Sequence, residues 1–187
     1  MNLHKTNSSY FSDLDESRLR LLSRVVPCCF SLRNRAATIA LGGTACTFFK
    51  AIAPFQEYEV QSQVLCWDDK WLYIASYFLV SGGSRKLASV LDGTHQRDKL
   101  SLEHVCKSVV VAAAITKYCF KSNGLAVAPR RLLKSFLPPH MEQHFAERNA
   151  EGKRIAASME SLSELRKMAI PRSDAWQVPS ETSGLGT

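Results

Sequence analysis

The chain has 187 residues, of which 45% are hydrophobic and 22% charged, with a formal net charge of +7. This length fits one domain with a tail, and no apolar run approaches the ~20 residues of a membrane-spanning helix. A basic surface attracts anions, but its scattered basic residues are not interleaved with aromatics, which disfavours nucleic-acid binding. Six cysteines lack metal-binding spacing, so we expect reduced packing residues, no metal and, without a signal-peptide pattern, a cytoplasmic protein.

The first predicted element is a helix from Ser8 to Val26. Asn7 and Ser8 are residue types that cap helix N-termini, and Pro27 ends the element because proline disfavours a helical residue before it. Apolar residues recur at helical spacing and predict one buried face: Phe11, Leu14, Leu21, Leu22 and Val25.

Strand-like patterns follow. Residues 36–50 contain the pair Gly42-Gly43, which predicts a strand with a bend or bulge. Residues 58–67 alternate between polar and less polar positions, and residues 71–80 are strongly apolar, so a hairpin with a turn at residues 68–70 is predicted. One face of the first hairpin strand is expected to carry Tyr58, Val60, Ser62, Val64 and Cys66.

The second half is predicted to continue the sheet. Residues 81–98 are interpreted as a polar connection, and residues 101–107 as an ordered turn. A strand is predicted over residues 108–120, and the sequence Ser122-Asn123-Gly124 predicts a tight turn into a short segment, residues 125–127.

Pro138-Pro139 marks the predicted end of the domain. We expect one domain over residues 1–138 and a tail over residues 139–187, which contains a polar helix at residues 140–168 and a frayed end beyond Pro171. A long amphipathic helix beside antiparallel strands must bury its apolar stripe against the sheet. The sequence therefore predicts an α+β fold.

The start of the chain carries a motif. Asn2, His4, Asn7 and Tyr10, followed by an acidic residue and Arg18 on the helix, resemble the signature of acyl thioesterases related to 4-hydroxybenzoyl-CoA thioesterase. The tryptophan-flanked hairpin turn at residues 67–71 resembles a narrower branch, the fungal thioesterase-like proteins of secondary-metabolite clusters, of the leucinostatin-cluster type. The resemblance covers roughly residues 2–137.

The resemblance implies a hotdog fold, in which an antiparallel sheet wraps a long central helix. In this family an aspartate in the loop before the helix acts as a nucleophile or activates water, while backbone N–H groups at the helix N-terminus polarise the thioester carbonyl. The motif register places that aspartate immediately before Met1, so the aspartate and the preceding N-terminal strand are expected to be missing from this sequence.

The site residues that the resemblance implies fall into three groups, and each keeps an ordinary structural alternative. Asp15 is the candidate catalytic carboxylate, or it pairs with Arg18 or complements the helix dipole. A second group lines the substrate site, or forms loop hydrogen bonds and caps the helix: Asn2, His4, Thr6, Asn7 and Ser8. A third group contacts the phosphates of coenzyme A or phosphopantetheine, or forms a solvated basic face: Arg130, Arg131 and Lys134.

Two functions remain open. The first is hydrolysis of acyl-CoA or carrier-bound acyl thioesters by a homodimer whose strands pair edge to edge, without a cofactor, in secondary metabolism. The second is a catalytically inactive or truncated hotdog protein that binds acyl chains or acts as a scaffold. Hotdog hydratases use an aspartate with a histidine five residues later; arginines follow Asp13 and Asp15 at that distance, which disfavours dehydration.

Overall fold

The computed structural model describes residues 5–31, 36–92, 99–133 and 142–161. Within these ranges its elements are two long α-helices, an antiparallel sheet and three shorter α-helices. Among the described residues, none of the helices combines the length and apolar character needed to cross a bilayer. In chain order the elements are α1 (Asn7–Val25), β1 (Thr38–Phe48), β2 (Tyr58–Trp67), β3 (Trp71–Val80), α2 (Gly83–Asp92), α3 (Lys99–Val109), β4 (Val110–Ser122), β5 (Leu125–Val127), α4 (Pro129–Leu133) and α5 (Glu142–Ser161).

The sheet has the strand order β1-β4-β3-β2, and every pair is antiparallel. The predicted hairpin of β2 and β3 is confirmed, with Trp67 opposite Leu72 at its closed end. The predicted irregularity in β1 is confirmed by a register shift between Leu41 and Gly43. Gly42 is required there because a Cβ atom would collide with the ring of Trp71 on β3.

The turn at residues 122–125 is also confirmed. Asn123 and Gly124 both adopt positive φ angles, 50° and 80°, as the favoured two-residue hairpin turn requires. β5 then pairs with the end of β4, where Phe120 lies opposite Val127.

Helix α1 packs across one face of the sheet, which is the hotdog arrangement. Its buried residues recur every three or four positions, because only that spacing keeps one side of a helix against the strands. Toward the helix N-terminus they join a cluster that contains Phe78, and toward the C-terminus a second cluster that contains Phe120. The buried helix residues are Tyr10, Leu14, Arg18, Leu22 and Val25.

Two predictions between β3 and β4 were wrong. The segment from residue 81 interpreted as a polar connection forms helix α2, and the expected turn at residues 101–107 belongs to helix α3. Glycine, serine and aspartate made the segment look like a loop, yet Leu87, Val90 and Leu91 have helical spacing in the sequence. Residues 93–98 lie outside the described residues.

Helix α5 covers part of the face of the sheet opposite α1. The predicted position of Cys66, on the same face as Tyr58 and Val60, was wrong. A register shift between Val64 and Cys66 turns Cys66 away from α1, because an extra residue in a strand reverses the alternation beyond it. Cys66 packs instead with Ala156 and Met159 of α5, and burial raises the pKa of its thiol to about 12. Gly152 allows this approach, since a Cβ atom there would lie 2.5 Å from the Leu65 carbonyl oxygen.

Asn149 of α5 binds the open edge of β2. Its side-chain amide accepts a hydrogen bond from the Trp67 N–H at 2.7 Å and donates one to the Trp67 carbonyl at 3.1 Å. These are the two bonds that a neighbouring strand would make at that residue. The helical prediction for residues 140–168 is confirmed over Glu142–Ser161, and the domain boundary after residue 138 stays a prediction.

Candidate functional site

The candidate site surrounds the middle of α1, whose two sides differ in character. The side of α1 opposite β2 carries Phe11, Asp15 and Leu19, one turn apart. We call it the β1 flank because Arg18 beside it binds Thr44 of β1. The side toward β2 we call the β2 flank; it carries Asp13, Glu16, Ser17 and Arg20.

On the β1 flank an exposed carboxylate is paired with a buried guanidinium. Arg18 is 2% exposed and donates a hydrogen bond from Nη2 to Oδ1 of Asp15 at 2.5 Å, whereas the Asp15 side chain is 71% exposed. Phe11 and Leu19 lie on either side of Asp15 and are 39% and 56% exposed. The flank therefore presents a fixed negative charge between two apolar side chains.

The remaining donors of Arg18 bind the helix and the sheet. Nε donates to the Leu14 carbonyl at 2.9 Å, and Nη1 donates to the hydroxyls of Thr44 on β1 and Thr116 on β4. Tyr118, two residues further along β4, is 8% exposed. Burial raises the pKa of the Tyr118 hydroxyl, although the positive charge of Arg18 opposes that shift.

On the β2 flank a carboxylate is enclosed by two donors. Oδ2 of Asp13 accepts hydrogen bonds from the Tyr58 hydroxyl at 2.6 Å and from Nζ of Lys5 at 2.7 Å. The ammonium also lies 5.3 Å and 5.1 Å from the ring centroids of Tyr10 and Tyr58, within cation–π range. Burial alone would lower the pKa of Lys5, but its bonds to Asp13 and Tyr58 outweigh burial and raise it.

A polar pocket of about 320 Å³ opens between α1 and β2, lined by Asp13, Glu16, Ser17, Arg20, Tyr58 and Val60. From its wall a line of hydroxyls enters the core. Ser17 lies 2.8 Å from the hydroxyl of Ser62, which lies 2.7 Å from that of fully buried Ser76. These bonds fix the helix to β2 and satisfy hydroxyls that would otherwise be costly to bury.

The predicted substrate-binding residues at the helix N-terminus are described only in part. Thr6, Asn7 and Ser8 are exposed there. Thr6 occupies the cap position but makes no side-chain capping bond, since its hydroxyl contacts those of Ser8 and Ser9. Capping by the Asn7 or Ser8 side chain was therefore a wrong expectation. Asn2 and His4 lie outside the described residues.

The predicted phosphate-binding residues lie at the other end of the molecule. Arg130 and Arg131 are exposed on α4, whose Leu132 and Leu133 pack with the C-terminal part of α1. A 19-residue helix spans roughly 28 Å at 1.5 Å per residue, so one protomer does not bring Arg130 and Arg131 next to Thr6–Ser8. Lys134 lies outside the described residues.

The profile of the thioesterase-like superfamily matches residues 1–103 of this sequence. The chain belongs to this superfamily. The chain is similar to fungal thioesterases. Thioesterase poxG of Penicillium oxalicum is 38% identical to it over 147 residues, covering 72% of this chain and 48% of the relative. Probable thioesterase atnL of Emericella nidulans is 35% identical over 169 residues, covering 80% of this chain and 54% of the relative.

This thioesterase-like chain thus spans about half the length of the curated relatives that it matches. A solved structure of a hypothetical protein from Aquifex aeolicus shares the fold, with a TM-score of 0.50 at 17% identity over 71% of this chain and 85% of that one.

Several residues of the candidate site around α1 were not predicted from the sequence. The contacts around α1 are made by Lys5, Tyr58, Thr44 and Thr116, for which no functional role was predicted. A signal existed for Thr116, because it is a polar residue at an inward position of β4, between the apolar inward positions Ala114 and Tyr118. The pairing of Asp15 with Arg18, held as an alternative to catalysis, is present.

Proposed function

We propose that the chain is an acyl thioesterase and that Asp15 is its catalytic carboxylate. The observation that carries the proposal is the exposed Asp15 carboxylate between the apolar Phe11 and Leu19 on the central helix of a thioesterase-like fold. Apolar walls suit an acyl chain, and a fixed carboxylate suits proton transfer from water.

The reaction needs no cofactor. The Asp15 carboxylate takes a proton from water while the water oxygen bonds to the thioester carbonyl carbon. When the tetrahedral intermediate collapses, the C–S bond breaks and the thiolate recovers the proton from Asp15. The products are a carboxylic acid and a free thiol.

We propose acyl-CoA or a carrier-bound acyl thioester as substrate, in fungal secondary metabolism, and a homodimer formed through the β1 edges. Within the described residues β1 has no strand on its outer side, and its exposed apolar residues include Leu41 and Phe48. At β2 the backbone of Trp67 is already occupied by Asn149, which favours β1 as the pairing edge.

A twofold pairing of two β1 strands is antiparallel, and this orientation resolves the separation of the predicted binding residues. The Thr38 end of β1 adjoins the part of β4 that leads to α4, and the Phe48 end adjoins Tyr10 near the start of α1. In the proposed dimer, Arg130 and Arg131 of one protomer approach the N-terminus of α1 in the other. They are then available for the phosphates of coenzyme A.

Thiol release from acyl-CoAs of increasing chain length tests the function. Asp15→Asn is expected to lower kcat by about 100-fold or more, the usual contribution of a general base. The matched control is Glu16→Gln, which changes an adjacent exposed carboxylate and should leave kcat within twofold. Unchanged kcat in Asp15→Asn would remove Asp15 from the reaction, and absence of thiol release by the wild type would reject the proposed function.

A second measurement tests the phosphate contacts. Arg130→Gln with Arg131→Gln is expected to raise KM for acyl-CoA but not for the matching acyl-pantetheine, which lacks the nucleotide phosphates. An equal rise for both substrates would argue against phosphate binding. Sedimentation should report a dimer for the wild type, and a monomer would reject the paired β1 edges.

A further inference from the structure

Arg18 is a charged residue in a place that packing alone would give to an apolar side chain. It is among the largest fully buried side chains and sits between Leu14 and Leu22 on the buried face of α1. Arginine keeps its charge in proteins, and burying a charge is costly unless it is paired and hydrogen-bonded. A methionine or leucine would fill similar space without that cost.

The bonds of Arg18 hold its guanidinium in one orientation. Three elements contribute acceptors: the Leu14 carbonyl of α1, the Thr44 hydroxyl of β1 and the Thr116 hydroxyl of β4. The two hydroxyls also lie 3.3 Å from each other. The guanidinium group is planar, so bonds at Nε and Nη1 also fix the position of Nη2, which is the nitrogen that binds Asp15.

The pair is aimed outward. The guanidinium is buried, yet its carboxylate partner reaches the surface on the β1 flank. By contrast, Arg20 and Glu16 form an ion pair on the same helix in which both side chains are exposed, 75% and 65%. The exposed pair shows that the chain can satisfy a helical arginine without burying it.

We propose that Arg18 is a positioning residue that holds the Asp15 carboxylate for thioester hydrolysis. This inference rests on the proposed function. Arg18 binds Oδ1 of Asp15 and leaves Oδ2 to take the proton from the attacking water. The rigid bonds to Thr44 and Thr116 transmit the geometry of the sheet to the carboxylate. Arg18 itself does not touch the substrate.

A double-mutant cycle in kcat tests the proposal, because residues that act as one unit give non-additive effects. The variants are Asp15→Asn, Arg18→Met and the double variant, each assayed for acyl-CoA hydrolysis and thermal unfolding. Arg18→Met is expected to lower kcat by about 10- to 100-fold, the effect of a misplaced catalytic group, with KM nearly unchanged. In the Asp15→Asn background the same substitution is expected to lower kcat by less than twofold.

Two further variants separate positioning from structural support. Arg18→Lys keeps the charge and should recover part of kcat relative to Arg18→Met. Arg24→Met removes an exposed arginine in the last turn of α1 and should leave kcat and KM as in the wild type. If the kcat effects of Asp15→Asn and Arg18→Met multiply independently, Arg18 acts only on stability and the proposal is overturned.

The outcomes also separate this inference from the proposed function. A wild type that hydrolyses thioesters, with Arg18→Met folded and equally fast, rejects the positioning role alone. A wild type that releases no thiol rejects both. If Arg18→Met does not fold, Arg18→Lys is used in its place. A kcat of Arg18→Lys equal to that of the wild type overturns the proposal. A decrease in kcat that is present in the wild-type background and absent in the Asp15→Asn background supports it.

Discussion

The two flanks of α1 contain similar charged residues and use them differently. On the β2 flank the Asp13 carboxylate, 30% exposed, is held by Lys5 and by the Tyr58 hydroxyl. On the β1 flank Asp15 is 71% exposed, and its partner Arg18 is buried between α1 and the sheet. The comparison teaches that burial and the number of partners, rather than residue type, decide how much of a carboxylate stays accessible to a ligand.

The largest expected effect on stability comes from removing the carboxylate that balances Arg18. Asp15→Ala leaves the buried guanidinium without its anionic partner. Because Asp15 itself is 71% exposed, we expect a cost of about 2 kcal/mol in the free energy of unfolding, below that of a fully buried pair. Glu16→Ala makes the same change on the exposed pair, where about 0.5 kcal/mol or less is expected. Urea denaturation of the two variants measures the difference. Helix propensity gains more from Asp→Ala than from Glu→Ala, which opposes the predicted order of the losses and makes the comparison stricter.

Adding Arg18→Met to Asp15→Ala should restore most of the lost stability, because the uncompensated charge is then gone. Equal losses in Asp15→Ala and Glu16→Ala would contradict this account of the β1 flank. They would mean that water reaches Arg18 and that the two pairs differ little.

A smaller effect is expected on the β2 flank from Tyr58→Phe. The variant loses one hydrogen bond to a charged group, which contributes about 1.5 kcal/mol, while the bond of Asp13 to Lys5 remains. Thermal unfolding should detect the loss, and kcat for acyl-CoA should stay within twofold. A loss of kcat comparable to that of Asp15→Asn would instead assign the chemistry to the β2 flank.

The sheet could be predicted from the sequence because its strands alternate visibly and its turns have strong signals. Asn123 and Gly124 specify a turn by backbone preference alone. The face of Cys66 was predicted wrongly because strand alternation does not encode the bulge between Val64 and Cys66, and beyond that bulge Cys66 packs with α5. Helix α2 was missed for a related reason, since its turn-forming residues obscured the spacing of a few apolar ones.

The candidate site was predictable only in its local parts. Asp15 and Arg18 are three residues apart on one helix, so their pairing followed from helical geometry. The contacts of Arg18 with Thr44 and Thr116 join residues 26 and 98 positions away, and only the order of strands in the sheet brings them together. The contact between Lys5 and Tyr58 was not predicted, because the strand alternation that includes Tyr58 does not show that the chain before α1 lies against β2.

The smallest effect is expected at alkaline pH, where Lys5 tests how the β2 flank is held. Burial lowers the pKa of Lys5, but the hydrogen bonds and charges of Asp13 and Tyr58 together outweigh burial and raise the pKa above the ordinary 10.5. Its contribution to stability is therefore fully present below pH 10.5 and is lost as the pH rises through the higher folded-state pKa. Lys5→Met should be less stable than the wild type at pH 8, and the gap should narrow above pH 10.5. Arginine keeps its charge at this pH, so the stability difference between Lys5→Arg and Lys5→Met should narrow less than that between the wild type and Lys5→Met. A gap that does not change with pH would mean that Lys5 stabilises this flank through packing on Tyr10 and Tyr58 rather than through its charge.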